Sequence, residues 1–386
     1  MTLPRKIFVA AHVTRIYGPV QALTAWLRRV RADFTLAALP FGYSGLPHAV
    51  EQRYNAGRLV LDTRGHASRG WEPWLWVKDW CFVVRRGWRA GAKAPVDLFI
   101  GVDCLNASAG LLLRSLGRAR RVAFYVIDYT PKRFKNPVLN ALYAWVDRLA
   151  ATRSDLVWNL SERMRDVRRG QGVEERRNRL VPVGVELDKV VPVSRAKLRR
   201  RSLLYMGALT HDKGLQLMVE AFPEILARVP DAELHILGFG PFEAELKRLV
   251  QASPARARIR VPGGLAHEAL FKLVPAYGVA LAPYLDDPGS YTWWCDPTKP
   301  KEYLACGLPI IITRVPWIWE RVADPRKPLG LAIGYKRDEL VKACVRLLKD
   351  DRFYRRCRRN ALEFAATLDW NGIYAGAFEG LGQGAP

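Results

Sequence analysis

Apolar residues in this chain gather into short compact runs, and the stretches between the runs repeat apolar positions at helical spacing. KIFVAAHV (6–13), FTLAALPF (34–41), VDLFIGVD (96–103), RRVAFYVIDY (120–129) and SDLVWNLS (154–161) read as strands, with RLVLDT (58–63) as a further one. Helical spacing fills 20–30, 107–116 and 137–151 between them. Ser161 stands where it caps the helix that follows, because its hydroxyl takes one of the N–H groups that a helix start leaves unpaired. Uninterrupted apolar strands alternating with helices predict a parallel sheet covered on both faces.

The pattern lapses at VPVGVELDKVVPVSRAKLRRR (181–201), a stretch of Pro, Gly and charge that reads as a hinge. It restarts with strands at SLLYMGAL (202–209), AELHILGFG (232–240), IRVPG (259–263), GVALAPY (278–284) and LPIIIT (308–313). Helices are expected over 214–229, 241–252, 266–274 and 301–306. The expected fold class is α/β, with two Rossmann-like domains, 1–190 and 191–365, facing a cleft. In open sheets of this kind ligands sit beyond the carboxyl ends of the strands.

Length fits that division, since 386 residues exceed what one ordinary core spans. No apolar run approaches the roughly 18 to 20 residues that a membrane span needs. The start, MTLPRKIFVAAHV, is basic and then apolar, but its apolar part ends too soon for a secretory signal. Six cysteines lie scattered with no C-x-x-C pair, which points to a reducing, cytoplasmic setting and away from a zinc or disulfide framework. The six histidines are as scattered, so no metal site is expected.

Charge is the outlier. Lys+Arg 61 against Asp+Glu 37 leaves a net charge of +24. Such a surface attracts nucleic acid, anionic lipid or a phosphorylated substrate, and it is equally the mark of a solvated arginine-rich exterior. Basic clusters fall mostly in the first half, at RRVR (28–31), RRGWR (85–89), RARR (118–121) and RDVRR (165–169), with RRCRR (355–359) outside it. No zinc finger, RNP-type aromatic motif or helix-turn-helix accompanies them, so nothing but charge speaks for nucleic acid.

Three stretches of the second half carry chemistry. YMGALTHDKGLQLMVEAF (205–222) runs from a strand through Gly207 to Lys213 and a helix start, where free N–H groups and a positive dipole end suit a phosphate. A plain turn with a surface lysine has the same pattern. LHILGFGP (234–241) holds Gly238 and Gly240, which let backbone come close to a flat or bulky ligand. CDPTKPKEYLACGLP (295–309) sets Lys299 just before a helix start and Glu302 in its first turn. A carboxylate so placed can hold both hydroxyls of a ribose, while Lys299 faces a diphosphate. Simple complementation of the helix dipole, worth about 0.3–1 kcal/mol, also accounts for Glu302 taken alone.

With YGVALAPY and LPIIIT between and after them, these stretches resemble the donor-binding domain of GT-B glycosyltransferases of the GT4 type, the glycosyl transferases group 1. The tail TLDWNGIYAGAFEGL (367–381) resembles the closing helix of that family, so residues 366–386 are expected to cross back to the N-terminal domain. The resemblance implies transfer of a sugar from a nucleotide-diphosphate donor to a glycan, lipid-linked or other small acceptor. It implies no cofactor, no bound metal, and retention of configuration. It assigns Lys213 and Lys299 to the diphosphate and Glu302 to the ribose. RIYGPVQAL (15–23) resembles the family's Gly-rich loop and sets Gly18 near diphosphate and acceptor.

Three departures bear on these roles. Ala208 stands where many members have an arginine, and Arg314 or Lys301 is the expected substitute for that phosphate contact. Trp294 replaces a glutamate, leaving Asp296 as the expected donor-sugar contact. Where many members have a histidine after a strand, this chain has Asp128, which either takes the acceptor's proton or caps the next turn. Arg133 and Lys132 beside it are either an acceptor-phosphate site or a solvated pair. An aspartate base fits inversion as well, so stereochemistry stays open.

One stretch falls outside these motifs. GWEPWLWVKDWCFVVRRGWR (70–89) packs five tryptophans beside a basic cluster. It reads either as a helix lying on an anionic membrane, with the protein peripheral on the cytoplasmic face, or as a packing helix with its tryptophans in the core. A non-catalytic binding or scaffold protein and a nucleotide-sugar epimerase of the same fold remain alternatives to the transferase.

Overall fold

The apolar runs of the first half lie side by side in one sheet in the computed structural model, which describes residues 3–15, 17–41, 44–68, 72–191, 197–264 and 267–381. The strands are β1 (Ile7–Val13), β2 (Phe34–Pro40), β3 (His48–Asn55), β4 (Arg58–Ala67), β5 (Val96–Val102), β6 (Ala119–Val126), β7 (Leu156–Asn159) and β8 (Asn178–Leu180). Their order is β4-β3-β2-β1-β5-β6-β7-β8. The sheet is parallel from β2 through β8, but β3 pairs antiparallel with both β2 and β4, a departure from the all-parallel expectation. The reason lies in HAVEQRYN, whose buried and half-exposed positions alternate as they do in a strand with one face toward water. Ala56 and Gly57, both at positive φ, make the tight turn into β4. A side chain on Gly57 would press a Cβ to 2.2 Å from the Arg28 carbonyl.

Helices α1 (Pro19–Arg29), α2 (Glu72–Ala90), α3 (Cys104–Ser115), α4 (Pro137–Arg153) and α5 (Glu162–Gly170) cover this sheet. Ser161 caps α5 as expected, its hydroxyl accepting from the Met164 N–H. The face of α2 that turns inward carries Leu75, Asp79, Phe82 and Val83. Trp74 and Trp88 are exposed and Trp76 and Trp80 half-buried, so these four are not the core residues that the packing reading expected. Trp71 lies outside the described residues.

The second half forms a six-stranded parallel sheet in the order β11-β10-β9-β12-β13-β14. Its strands are β9 (Arg199–Met206), β10 (Glu233–Leu237), β11 (Ile259–Gly263), β12 (Tyr277–Ala282), β13 (Ile310–Thr313) and β14 (Gly330–Ile333). Around it lie α6 (Leu215–Arg228), α7 (Glu243–Ala252), α8 (His267–Leu273), α9 (Tyr291–Trp294), α10 (Thr298–Ala305), α11 (Trp319–Val322), α12 (Arg337–Lys349) and α13 (Asp351–Ala365). The order of strands reverses at β9, which has β10 on one side and β12 on the other. In the first sheet the reversal is at β1, between β2 and β5. Each reversal opens a crevice at the carboxyl end of its sheet.

The chain divides into two compact units, residues 1–183 with 370–386, and residues 184–369. The last helix, α14 (Trp370–Ala377), thus belongs to the first unit. Trp26 packs its ring 4.9 Å from Phe378 and 5.9 Å from Tyr374, and the Tyr374 hydroxyl donates to the Pro19 carbonyl at 2.6 Å.

Candidate active site

In the second unit, the loops that leave β9 and β10 lie against each other. The Gly207 N–H donates to the Leu237 carbonyl at 2.9 Å. A Cβ on Gly238 (φ +154°) would sit 1.8 Å from the Gly207 carbonyl oxygen, and one on Gly240 2.2 Å from that of Leu209. Both glycines are therefore required by backbone meeting backbone, whereas the sequence reading gave them to a ligand.

Beyond that contact the chain turns at Gly214 (φ +69°) into α6, and Lys213 is held just before the turn. Its ammonium donates to Asp212 Oδ2 at 2.6 Å and to Thr292 Oγ1 at 3.1 Å, and lies 5.3 Å from the centre of the Tyr284 ring. Burial works to raise the Asp212 carboxyl, but hydrogen bonds from Lys213, Thr210 and Thr292 outweigh it and hold the group below the usual carboxylate range. Lys213 thus stands at the reversal between β9 and β12.

Helix α10 is tied to the same place by Tyr303, whose hydroxyl accepts from the Met206 N–H at 2.6 Å and donates to the Met206 carbonyl at 3.0 Å. The helix starts at Thr298, so Lys299 lies inside its first turn and Glu302 one turn on, slightly later than the spacing predicted. Their side chains meet at 2.9 Å, with Glu302 almost fully buried and Lys299 one-third exposed. Pro297 leaves the helix start without a side-chain cap, so its first N–H groups have no such partner.

Asp296 and Lys301 have a different place. Both side chains are fully enclosed, 2.5 Å apart, and the Trp317 indole N–H donates to the other Asp296 oxygen at 2.9 Å. Burial pulls the Lys301 ammonium below its ordinary value while Asp296 works against the pull. The sequence reading offered Asp296 to the donor sugar and Lys301 to a phosphate; in this unit each is enclosed and held by the other. Arg314 remains more than half exposed, 3.6 Å from Glu339. Ala208 contributes its carbonyl to the Tyr205 hydroxyl at 2.7 Å, and the Trp294 indole donates to the Pro288 carbonyl at 3.2 Å.

Gly18 and Asp128 belong to the first unit. Gly18 precedes α1 in extended backbone, and among the described residues a Cβ there would meet nothing closer than Gln21 Oε1 at 3.6 Å, so no contact among them demands a glycine. Asp128 follows β6 and lines a cavity of about 340 Å³ at the carboxyl end of the sheet, roofed by α2 and α4. Its Oδ2 accepts from Arg133 at 2.9 Å, and its Oδ1 is buried with no hydrogen-bond partner. Arg133 also lies 5.4 Å from the Tyr143 ring centre. Burial opposes its charge, and Asp128 outweighs burial and raises its pKa. Arg133 is thus paired with Asp128, a partner that the sequence reading did not give it, and Lys132 is exposed.

The cavity also holds a polar cluster that sequence reasoning missed. His12 near the end of β1 faces Asp103 at the end of β5, Nδ1 to Oδ2 at 2.6 Å, and Asp79 of α2, Nε2 to Oδ2 at 3.3 Å. His66 Nε2 reaches the other oxygen of Asp79 at 2.8 Å. Asn106 steadies Asp103 with a side-chain bond of 2.8 Å and a backbone bond of 2.9 Å. Asp103 sits at φ +81°, a strained value for a residue with a side chain, as found where function over-determines geometry. Burial alone would lower the His12 pKa, but Asp103 and then Asp79 reverse the effect and push it up to about 9. At neutral pH this ring keeps its proton. His12 and Asp103 close β1 and β5, but that these two strands are neighbours is not written in their spacing along the chain.

Two α/β units, each with a sheet built around parallel strands and polar residues gathered at its point of reversal, define the architecture of GT-B glycosyltransferases. Among solved structures, Alr3699/HepE of Anabaena in complex with UDP matches with a TM-score of 0.72 and 13% identity, over 98% of this chain and 99% of that one. Sucrose-phosphate synthase of Thermosynechococcus elongatus matches with a TM-score of 0.69 and 19% identity, over 97% of each chain. The protein is a glycosyltransferase, and its residues 200–350 match the family glycosyl transferases group 1. Alpha-D-kanosaminyltransferase of Streptomyces kanamyceticus is 25% identical over 312 residues, 75% of this chain and 78% of that protein. A GDP-mannose-dependent alpha-(1-6)-phosphatidylinositol monomannoside mannosyltransferase of Mycolicibacterium smegmatis is 26% identical over 188 residues, 45% and 47% of the two chains.

Proposed function

We propose that the protein moves a sugar from a nucleoside-diphosphate donor, bound by the second unit, to a hydroxyl acceptor bound by the first, with retention and without a resident metal or cofactor. The observation that carries the reading is the Lys299–Glu302 pair on an uncapped helix start, tied by Tyr303 to the strand that leads to Lys213. Glu302 is fixed by Lys299 with its carboxylate shielded, the arrangement that holds a ribose diol. Lys213, Lys299 and the free N–H groups of α10 supply positive charge for a diphosphate. Complexes with UDP in HepE and the GDP-mannose dependence of the mycobacterial relative support a nucleotide sugar as donor.

In the transfer, the bond from the anomeric carbon to the diphosphate oxygen breaks and its electron pair stays on the diphosphate. The acceptor oxygen forms the new bond at the same face, and its proton passes to the leaving diphosphate or to Asp128. Lysines and helix N–H groups fixed in advance stabilise the charge that grows on the leaving group. His12, protonated at neutral pH, is no base. It keeps Asp79 and Asp103 in place. Asp128, on the cavity wall at the carboxyl end of β6, is the candidate proton acceptor.

Exposed Trp74 and Trp88 on α2, with Arg85 and Arg89 on the same helix, support a peripheral contact with an anionic membrane. No helix among the described residues is long and apolar enough to cross one.

The test is nucleotide release from a panel of UDP-, GDP- and dTDP-sugars, with and without chelator, for wild type, Lys299→Ala and Glu302→Ala. Release from one donor should survive chelator and fall at least a hundredfold in both variants. Release unchanged in the variants would remove the donor site from α10.

A further inference from the structure

The cavity of the first unit has a chemical bias of its own. At about 340 Å³ it has room for a ring system. Its wall is mostly apolar, with Phe41, Leu75, Trp76, Phe134, Leu139 and Leu142 among the residues that shape it. The charged groups in the wall are His12, Arg133 and the carboxylates of Asp79, Asp103, Asp128 and Asp147. Both cations are matched there, Arg133 by Asp128 at 2.9 Å and His12 by Asp103 at 2.6 Å. Asp147 is neutralised from behind by the buried Arg168. A phosphate entering this space would meet carboxylates and, among the described residues, no lining cation without a carboxylate partner. That is the reverse of what the chain's net charge of +24 leads one to expect.

We propose that this cavity takes the apolar ring of a neutral acceptor, whose hydroxyls meet the carboxylates of its wall. The inference rests on the transferase reading and narrows it, since phosphorylated acceptors are excluded from the cavity.

Two probes sharing one ring and differing in charge test this on the full chain without nucleotide sugar: 4-methylumbelliferyl β-D-glucoside and 4-methylumbelliferyl phosphate, each by isothermal titration. The glucoside should bind at least tenfold more tightly than the phosphate. Leu139→Trp fills the cavity and should weaken the glucoside at least tenfold. Leu142→Trp, at a half-exposed position on the rim, should act in the same direction and serves if Leu139→Trp does not fold. Asp128→Asn should narrow the preference for the neutral probe. Equal or tighter binding of the phosphate, binding of neither probe, or full binding by both filled variants overturns the proposal. Because the titration uses no donor, its failure is distinct from a failure of nucleotide release.

Discussion

Replacing Asp296 by alanine strands the Lys301 ammonium in a place that water does not reach. Both side chains are fully enclosed, and Asp296 also accepts from the Trp317 indole. Breaking a buried pair from one side costs about 3–5 kcal/mol, because the remaining charge loses its carboxylate partner. The orphaned indole donor adds about 1 kcal/mol. Deprotonation of Lys301 gives part of this back, since burial has already pulled its pKa down. A net loss of about 4 kcal/mol in a unit of this size lowers Tm by roughly 8–16 °C. Differential scanning calorimetry of the second unit's transition measures it. Asp296→Leu with Lys301→Met removes both charges at once and should recover most of the loss, to within about 2 kcal/mol of wild type. If Asp296→Ala melted with wild type while donor affinity collapsed, the structural reading would be wrong and Asp296 would return to the donor site.

His12 makes stability depend on pH in a set direction. Its folded pKa, about 9 against an ordinary 6.5, means that its contribution is complete below about pH 6.5 and lost as pH rises through about 9. The shift amounts to roughly 3 kcal/mol, and His12→Gln should flatten this limb of a pH series of denaturation midpoints. Gly214→Ala places a side chain at φ +69° with its Cβ 1.9 Å from the Pro283 carbonyl, so it should raise the donor KM at least tenfold by displacing Lys213. Donor kinetics equal to wild type would mean that the turn does not position that lysine.

Most parallel strands were legible because each is a run of apolar residues, which burial on both faces explains; the short β8 (NRL) and β14 (GLAI) offer too brief a run and were not. β3 was not, because HAVEQRYN mixes charged residues into an alternating strand and shows no run. α12 and α13 also went unread, since their basic faces outweigh their apolar stripes. In the second unit, the positions of Lys213, Lys299 and Glu302 beside helix starts were legible from local spacing. Gly238 was legible as a glycine position but not for its cause, the carbonyl of Gly207. The His12 cluster was beyond reach, because its members come from β1, α2, β4 and the loop after β5. Only the strand order brings them within bonding distance. Asp296 and Lys301, five residues apart, sit at no spacing that marks a pair.

The assignment of α14 to the first unit has a consequence for synthesis. Trp26 and Trp158 pack their rings against Phe378, so the first unit's core cannot close when its own first 183 residues have emerged. At ribosomal rates of about 5–20 residues per second, the wait for α14 lasts on the order of ten seconds or more. The intervening unit is continuous in sequence and can finish folding during that interval. The part made first is then the part completed last, with an aromatic surface uncovered in the meantime, where chaperones have their opening.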